Sequence, residues 1–269
     1  MTNPLAAAAA RLAATSDTPR LDAELLLAHA LGTSREELLL GPPRDPPATF
    51  AKLLDRRLAG EPLAYITGTR AFWTIELEVG PGVLIPRPDS ETLLDAAVAH
   101  FRGTPGPSRI LDLGTGPGTL LLAALDQWRH AVGLGVDASD AALAFARRNA
   151  KRLGLDARAT LRTGDWAQGI TGRFDLILCN PPYVATKADL GPGVREHEPH
   201  EALFAGSDGL DDLRTLSSHL PPLLAPGGVA AIEIGADQAD AACALFDGLA
   251  CRIARDLAGR PRAALLMWV

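Results

Sequence analysis

The fold of this chain is decided by the stretch Phe174-Asp175-Leu176-Ile177-Leu178-Cys179-Asn180-Pro181-Pro182-Tyr183. Its first half is a short apolar run, which is typical of a buried parallel strand. The strand is expected to end at Asn180, because Pro181 and Pro182 lack an N–H and hold their predecessors in extended geometry. Backbone carbonyls, the Asn180 side chain and the Tyr183 ring are therefore displayed on a stiff turn. Such a turn can bind an –NH2 group against an aromatic face, although the tetrapeptide alone also fits a plain proline-rich loop.

The composition is that of an ordinary globular protein. Its 269 residues are enough for one large domain and a small one. Hydrophobic residues make up 47% and charged residues 22%, so a sizeable core is available. The 26 basic and 32 acidic residues give a net charge of −6, which argues against a broad electrostatic surface for nucleic acid.

The cysteines and the N-terminus indicate a compartment. Cys179, Cys243 and Cys251 form no CxxC pair and are odd in number, so we expect reduced thiols in a cytoplasmic protein and no metal site. Cys179 is expected to be a core residue and not a nucleophile. Met1–Ala14 has no basic n-region and contains Arg11, which argues against a signal peptide. No apolar run approaches the roughly 18–20 residues of a membrane span.

Residues 1–60 are expected to form short helices. Capping signals predict one helix from Thr18 to Gly32 and a second from Ser34 to Gly41, the latter with a capping box. A proline-rich link, Pro42–Pro47, precedes a third helix that Gly60 closes. These helices are apolar enough on one face to pack as a small bundle.

Residues 61–88 differ in character from the helical segment. The runs Tyr65–Arg70 and Phe72–Val79 contain β-branched and aromatic residues, which predict a hairpin-like connector. Arg87-Pro88-Asp89-Ser90-Glu91 then begins a helix. Arg87 and Glu91 form either a surface ion pair of little energetic value or part of a charged cluster that faces a cleft.

Strands and helices alternate from Ser108 onward, which predicts a doubly wound parallel α/β sheet. The predicted strands are Ile110–Leu113, Val132–Val136, Thr160–Thr163, Leu176–Leu178 and Val229–Ile234. The predicted helices are Thr119–Trp128, Ser139–Leu153, Leu210–Leu224 and Asp237–Leu249. Two further strand-like runs, Cys251–Leu257 and Ala263–Val269, have no room for a helix between them, so the last strand is expected to be antiparallel.

The first of these strands runs into the loop Asp112-Leu113-Gly114-Thr115-Gly116-Pro117-Gly118. Its glycines allow a tight turn and a close approach of the backbone to a ligand. Thr119 breaks the GxGxxG pattern, and Pro117 removes an N–H that a phosphate would need. The loop therefore suits a nucleoside without phosphate, and the Asp112 carboxylate suits a cationic ligand.

The next two strand ends carry acidic and aromatic residues. Asp137 ends the second strand at a spacing typical of a carboxylate that binds ribose hydroxyls. Asp165-Trp166 follows the third strand, where the indole can flank a purine. Taken alone, each of these acidic or aromatic residues is better explained as a helix cap or a core residue. Because the carboxyl ends of parallel strands meet at one edge, the four strand ends together predict a ligand site there.

The motifs resemble those of class I S-adenosylmethionine-dependent methyltransferases. The resemblance narrows to the release factor glutamine methyltransferases, whose pattern is matched by Gly60–Gly68, Leu84–Glu91, Asp112–Gly118, Asp165-Trp166 and Asn180–Tyr183. It implies a Rossmann-like, seven-stranded sheet with an antiparallel last strand, preceded by a small N-terminal helical bundle. Pro117, where the family more often has a small polar residue, and the short apolar tail after Gly259 depart from the family pattern.

That resemblance also implies an activity. The protein is expected to methylate the side-chain amide nitrogen of the glutamine in the Gly-Gly-Gln motif of peptide chain release factors, using S-adenosylmethionine.

The resemblance also implies domain boundaries and site residues. The implied domains are a docking domain at 1–70, a connector at 71–88 and a catalytic domain at 89–269. The expected cofactor-binding residues are Asp112, Gly114, Thr115, Gly116, Pro117, Gly118, Asp137, Asp165, Trp166 and Asn180. The expected substrate-binding residues are Asn180, Pro181, Pro182, Tyr183 and Arg87, and the catalytic ones are Asn180, Pro181 and Tyr183.

Two other functions fit part of the pattern. The first is methylation of adenine N6 or another exocyclic amine of a nucleic acid, since the same tetrapeptide can bind such –NH2 groups. The acidic composition and the lack of a basic insertion argue against it. The second is a scaffold that keeps the fold without catalysis, which the intact Asn180–Tyr183 motif argues against.

Overall fold

A computed structural model describes residues 3–42, 44–191 and 193–269. Met1, Thr2, Pro43 and Pro192 lie outside the described residues, and so do the corresponding parts of the predicted Met1–Ala14 and Pro42–Pro47 segments. The chain divides into two compact units. The first comprises Met1–Thr69, Val79–Pro81 and Leu190–His197, and the second comprises Arg70–Glu78, Gly82–Asp189 and Glu198–Val269.

Helices and strands follow one another in an order close to that expected. The helices are α1 Pro4–Leu12, α2 Pro19–Leu31, α3 Arg35–Leu40, α4 Ala48–Leu58, α5 Leu63–Thr67, α6 Glu91–His100, α7 Thr119–Gln127, α8 Asp140–Arg152, α9 Val194–His197, α10 Asp211–His219 and α11 Ala239–Leu245. The strands are β1 Thr69–Phe72, β2 Ile75–Glu78, β3 Arg109–Leu113, β4 Val132–Asp137, β5 Ala159–Thr163, β6 Phe174–Cys179, β7 Leu224–Glu233, β8 Leu249–Arg255 and β9 Pro261–Trp268. Among the described residues, no helix combines the length and the apolar character needed to cross a membrane.

The first unit is a small helical bundle. Its apolar core includes Leu12 of α1, Leu26 of α2 and Phe50 of α4, all buried. The capping box predicted at Ser34 is present, because its side chain accepts from the Glu37 N–H and the Glu37 carboxylate accepts from the Ser34 N–H. The sequence pattern therefore identified α2, α3 and α4 and the start of α3, whereas α1 was covered only by the general expectation of short helices.

The second unit is built on a seven-stranded sheet with the order β5-β4-β3-β6-β7-β9-β8. Strands β3 to β7 are parallel, and β9 runs antiparallel to both β7 and β8, which confirms the predicted class of fold. Apart from Arg109, Asp112 and Asp175, the central strands β3 and β6 are apolar, because helices cover both faces of such sheets. Leu113 of β3 pairs with Cys179 of β6. The glycine loop after β3 and the Asn180 turn after β6 therefore start side by side.

Several predicted elements differ from the observed ones, and β7 begins at Leu224, ahead of its predicted start at Val229. The first half of the run Tyr65–Arg70, predicted as extended, belongs to α5, which begins after Pro62 and ends before Gly68, a residue in a left-handed conformation (φ +78°). The helix predicted to reach Leu224 ends at His219, because Pro221 and Pro222 lack the N–H groups that would continue it. The helix predicted to reach Leu249 ends at Leu245, and Leu249 pairs with Trp268 in the sheet instead.

The prediction of three reduced thiols was wrong for two of them. Cys243 of α11 and Cys251 of β8 form a disulfide, with their Cα atoms 5.5 Å apart. The tight turn from α11 into β8 brings residues eight positions apart within disulfide reach, and the number and spacing of the cysteines do not show this. Cys179 is a buried free thiol, and burial raises its pKa well above the usual range, which argues against a nucleophilic role.

Candidate active site

A cavity of about 440 Å³ opens where β3, β4, β5 and β6 end. Its size is that of a small-molecule site. The predicted residues that line it are Arg87, Asp112, Gly114, Thr115, Gly116, Pro117, Asp137, Asp165, Trp166, Asn180 and Pro182. Gly118, Pro181 and Tyr183, which we also predicted, are not among its lining residues.

The loop after β3 is shaped by glycines with positive φ. Gly114 has φ +70°, and a Cβ there would lie 3.2 Å from the Trp166 ring. Gly116 has φ +57°, and a Cβ there would meet no atom within 4 Å, so the backbone faces open space. The Asn149 side-chain amide anchors the loop by donating a hydrogen bond to the Pro117 carbonyl at 2.9 Å. A ligand can therefore lie directly against a fixed backbone at Gly116.

Asp112 places a buried carboxyl group beneath this loop. Its Oδ2 accepts from the Thr115 hydroxyl at 2.6 Å and from the Leu121 N–H at 3.1 Å. Its Oδ1 is buried and has no hydrogen-bond partner within the described residues. Burial raises the pKa of Asp112 to about 7, because the charged form loses its hydration. A cationic ligand in the cavity would compensate for that loss.

The substitution Asp112→Asn is expected to stabilise the ligand-free protein at alkaline pH. The raised pKa means that the native state binds a proton that the unfolded state releases, so wild-type stability falls as pH rises from about 4 to about 7. The Asp112→Asn variant lacks this titration, and its side-chain oxygen can still accept both hydrogen bonds. The melting temperature of Asp112→Asn minus that of wild type should increase between about pH 5 and about pH 7 and then level off. An advantage that shrinks with rising pH would contradict this account of Asp112.

Asp137 links the glycine loop to the next helix. Its Oδ2 accepts from the Gly116 N–H at 2.7 Å, and its Oδ1 accepts from the Ser139 N–H at 2.8 Å. Burial raises its pKa, and these two bonds oppose the increase. Each carboxylate oxygen retains a lone pair for another donor. Asp137 therefore shapes the loop, a role that the sequence did not reveal, and can still accept from a ligand hydroxyl.

Trp166 lines the cavity in an unusual backbone conformation, with φ +45°. Its indole N–H bonds to the Asp212 carboxylate, which lowers the pKa of Asp212 against a larger increase caused by burial. Asp212 was not predicted, because it lies in the first turn of α10 and looks like a helix-start residue. The bond to Asp212 fixes the indole, whose ring lies near Gly114.

The Asn180 amide is oriented by Ser90. Asn180 Nδ2 donates to the Ser90 hydroxyl oxygen at 3.1 Å, while Oδ1 makes no hydrogen bond to any described residue. The Tyr183 hydroxyl donates to Glu233 Oε1 at 3.2 Å. Burial and the neighbouring Glu233 raise the pKa of Tyr183, so the phenol stays protonated. Asn180 therefore keeps an acceptor for a substrate N–H.

Arg87 is paired with a residue far away in the sequence. Its guanidinium contacts Glu198 at 2.5 Å, and the second oxygen of the same carboxylate accepts from the Ile85 N–H at 3.0 Å. Glu91 instead accepts from the Trp73 N–H at 2.8 Å. Arg87 and Glu91 therefore do not form the surface ion pair that was one of the two predicted alternatives. Arg87 lines the cavity, as the other alternative, a charged cluster facing a cleft, predicted for it. Neither Glu198 nor Glu233 carried a sequence signal that identified its partner.

Comparisons with known proteins agree with this fold. Residues 4–68 match the family model described as PrmC N-terminal domain, and residues 90–194 match the one described as Methyltransferase small domain. The crystal structure of a methyltransferase from Pyrococcus furiosus has a TM-score of 0.54 and 19% identity, covering 81% of this chain and 100% of that chain. The fold and the cavity at its strand ends define a class I S-adenosylmethionine-dependent methyltransferase.

Curated relatives identify the family within that class. The release factor glutamine methyltransferase of Rhodospirillum rubrum is 45% identical over 258 residues, which cover 93% of this chain and 79% of that protein. The protein of the same name from Caulobacter vibrioides is 43% identical over 259 residues, covering 93% and 89% of the two chains. The chain belongs to the release factor glutamine methyltransferase family, which confirms the resemblance seen in its motifs.

Proposed function

We propose that this protein methylates the side-chain amide nitrogen of the glutamine in the Gly-Gly-Gln motif of peptide chain release factors. One observation carries the proposal. The amide of Asn180 lines the cavity next to the glycine loop, with Nδ2 bound to Ser90 and Oδ1 available to accept from a substrate N–H. The shared name of the curated relatives supports this substrate.

The cavity residues fit S-adenosylmethionine. Oδ1 of Asp112, which has no hydrogen-bond partner in the described part of the chain, suits the cationic part of the cofactor, and the open side of Gly116 lets the ligand approach the backbone. Asp137 can accept from ribose hydroxyls, and the Trp166 ring can pack against the adenine. When bound, the cofactor supplies a methyl group carried on positively charged sulfur.

The protein must activate a poor nucleophile. The lone pair of an amide nitrogen is conjugated with its carbonyl, as the rotation barrier of about 18–20 kcal/mol shows. Asn180 Oδ1 and the Pro181 carbonyl are proposed to accept the two N–H bonds, which fixes the nitrogen and raises its electron density. Orientation of this kind can contribute about 7–11 kcal/mol to a reaction between bound groups. No side-chain base is required, because the nitrogen becomes acidic once it is methylated and can release its proton.

The substrate can be tested by offering the protein two kinds of acceptor. Purified protein is incubated with methyl-labelled S-adenosylmethionine and either an intact release factor or single-stranded oligonucleotides rich in adenine. Label is expected in the release factor alone, and the net charge of −6 favours that result over nucleic acid. Labelled oligonucleotide without labelled release factor would favour the exocyclic-amine alternative.

The helical unit is proposed to recognise the release factor. Leu40 at the end of α3 is 89% exposed, which is unusual for a leucine in a helix. Leu40→Asp should raise the KM for intact release factor about tenfold. This is the loss of affinity expected when one leucine side chain is no longer buried on binding. The KM for a short Gly-Gly-Gln peptide, which lacks the docking surface, should stay unchanged.

The matched control for this test is Leu257→Asp. Leu257 is 107% exposed and lies in the turn between β8 and β9, so its replacement should affect neither substrate. Equal effects of Leu40→Asp on intact release factor and on peptide would contradict the docking role.

We propose the cytoplasm as the working compartment, since release factors act in translation. The Cys243–Cys251 disulfide counts against this compartment, because cytoplasmic thiols are normally kept reduced. Absence of direct nucleic-acid binding is likewise a proposal, supported by the acidic composition.

A further inference from the structure

Glu233 is a buried carboxyl group at the end of β7, next to the strand that leads into Asn180. The register pairs Cys179 with Ile232, so the residues that follow, Asn180 and Glu233, lie at the same level of the sheet. Glu233 is fully buried, and nothing in the proposed chemistry uses it directly. Burial of a carboxyl group is costly unless it has a structural or functional partner.

Two hydroxyl groups, those of Tyr183 and Ser90, lie near this carboxyl group. Tyr183 donates to Oε1 at 3.2 Å. Oε2 makes no hydrogen bond within the described residues, and the Ser90 hydroxyl is near enough to lower the pKa of the carboxyl group against the larger increase caused by burial. Arg262 also lowers the pKa by its charge, whereas Asp89 raises it, and the balance places the pKa at about 7. Above that pH the ionised carboxylate can only accept hydrogen bonds.

The direction of the hydrogen bonds then follows from Ser90. A hydroxyl group has one proton and can accept from other donors. When its proton points toward Glu233, Ser90 can only accept from Asn180, so Nδ2 faces Ser90 and Oδ1 faces the cavity. If the proton were free to turn, it could donate to Oδ1 and the Asn180 amide could rotate by half a turn. The rotated amide would offer a substrate N–H a donor in place of an acceptor.

We propose that Glu233 is a positioning residue: through Ser90 it fixes the orientation of the Asn180 amide, and directly it holds Tyr183. One carboxylate thus orders both ends of the Asn180–Tyr183 turn. The consequence for methyl transfer rests on the proposed function, whereas the orientation of the Asn180 amide does not.

The orientation can be observed without an activity assay. The chain contains three asparagines, Asn3, Asn149 and Asn180, so protein labelled with ¹⁵N at asparagine has few side-chain amide signals. The Asn180 signal is assigned by its loss in Asn180→Asp. At about pH 8, where Glu233 is ionised, exchange of the Asn180 Nδ2 hydrogens should be about tenfold faster in Ser90→Ala and in Glu233→Gln than in wild type, the effect of losing one hydrogen bond. Asn149, bonded to Glu78 and Pro117, serves as the internal reference.

The kinetic test uses the full chain with release factor and saturating cofactor. Ser90→Ala and Glu233→Gln should each slow single-turnover methyl transfer about tenfold while the affinity for S-adenosylhomocysteine is unchanged. Ser90→Thr, which restores a hydroxyl, should recover most of the rate lost in Ser90→Ala. The double variant should be no slower than the slower single variant, because both act through the same contact.

Asp175→Asn is the matched control. Asp175 lies at the opposite end of β6, where its Oδ2 accepts from the Ser108 and Arg109 N–H groups at 2.9 Å, so its replacement should lower stability without slowing the reaction. Folded Ser90→Ala and Glu233→Gln proteins with wild-type rates and wild-type Asn180 exchange would overturn the positioning role. If wild-type protein fails to methylate release factor, the proposed function fails, while the exchange data still decide the orientation of Asn180.

Discussion

Replacement of Asn180 by alanine is expected to lower the rate of methyl transfer by about 10²–10³, the scale for losing one preorganised polar contact in a closed site. The side chain supplies an acceptor for the substrate amide through Oδ1, and Ser90 holds that acceptor in place through Nδ2. Asn180→Asp should retain more activity than Asn180→Ala, because an acceptor toward the substrate survives. Single-turnover rates with saturating cofactor measure both effects.

The alternative role for Asn180 is purely structural, as the residue that ends β6. In that case Asn180→Ala would lower the melting temperature and leave the rate of the folded protein unchanged. Melting temperature and single-turnover rate are therefore measured on the same sample. A folded Asn180→Ala protein with wild-type turnover would refute the mechanism.

Replacement of Asp137 by alanine is expected to weaken binding of S-adenosylhomocysteine about 100-fold. The change removes the proposed ribose contact and also the bond that holds the Gly116 N–H, and hydrogen bonds to a charged group contribute about 1.5–3 kcal/mol each. The rate at saturating cofactor should change much less, because Asp137 does not contact the substrate amide in this account. Asp137→Asn should fall between wild type and Asp137→Ala, since one oxygen remains as an acceptor. Calorimetry measures the affinities.

Asp140→Ala is the control for Asp137. Asp140 begins α8 three residues later, and its carboxylate accepts from the Thr163 hydroxyl at 2.6 Å without lining the cavity. Its replacement should leave cofactor affinity at the wild-type value. Equal losses in the two variants would mean that the effect of Asp137 is a general loss of negative charge.

The residues that could be predicted from the sequence are those whose position follows from local pattern. The apolar runs of β3 and β6 and the polar residues that end them placed Asp112 and Asn180 at one edge, because parallel strands align their carboxyl ends. Gly114 and Gly116 were predicted as a tight loop because positive φ favours glycine, and both have positive φ.

The residues that could not be predicted depend on contacts between distant parts of the chain. Ser90 and Asn180 are 90 positions apart, and Arg87 and Glu198 are 111 apart, so neither pair has a spacing that a motif could record. Ser90 looked like a helix cap, and Glu233 lay inside the predicted strand Val229–Ile234. Cys243 and Cys251 meet because α11 ends early, which hydrophobic periodicity did not show.

The proposed reaction attaches a methyl group to the side-chain nitrogen of one glutamine in a release factor. It is tested most directly by fragmentation mass spectrometry of release factor after incubation with this protein and S-adenosylmethionine. We expect one added methyl group on the glutamine of the Gly-Gly-Gln motif with wild-type protein, and a strongly reduced amount with Asn180→Ala. A methyl group on any other residue, or an unmodified release factor after incubation with folded wild-type protein, would contradict it.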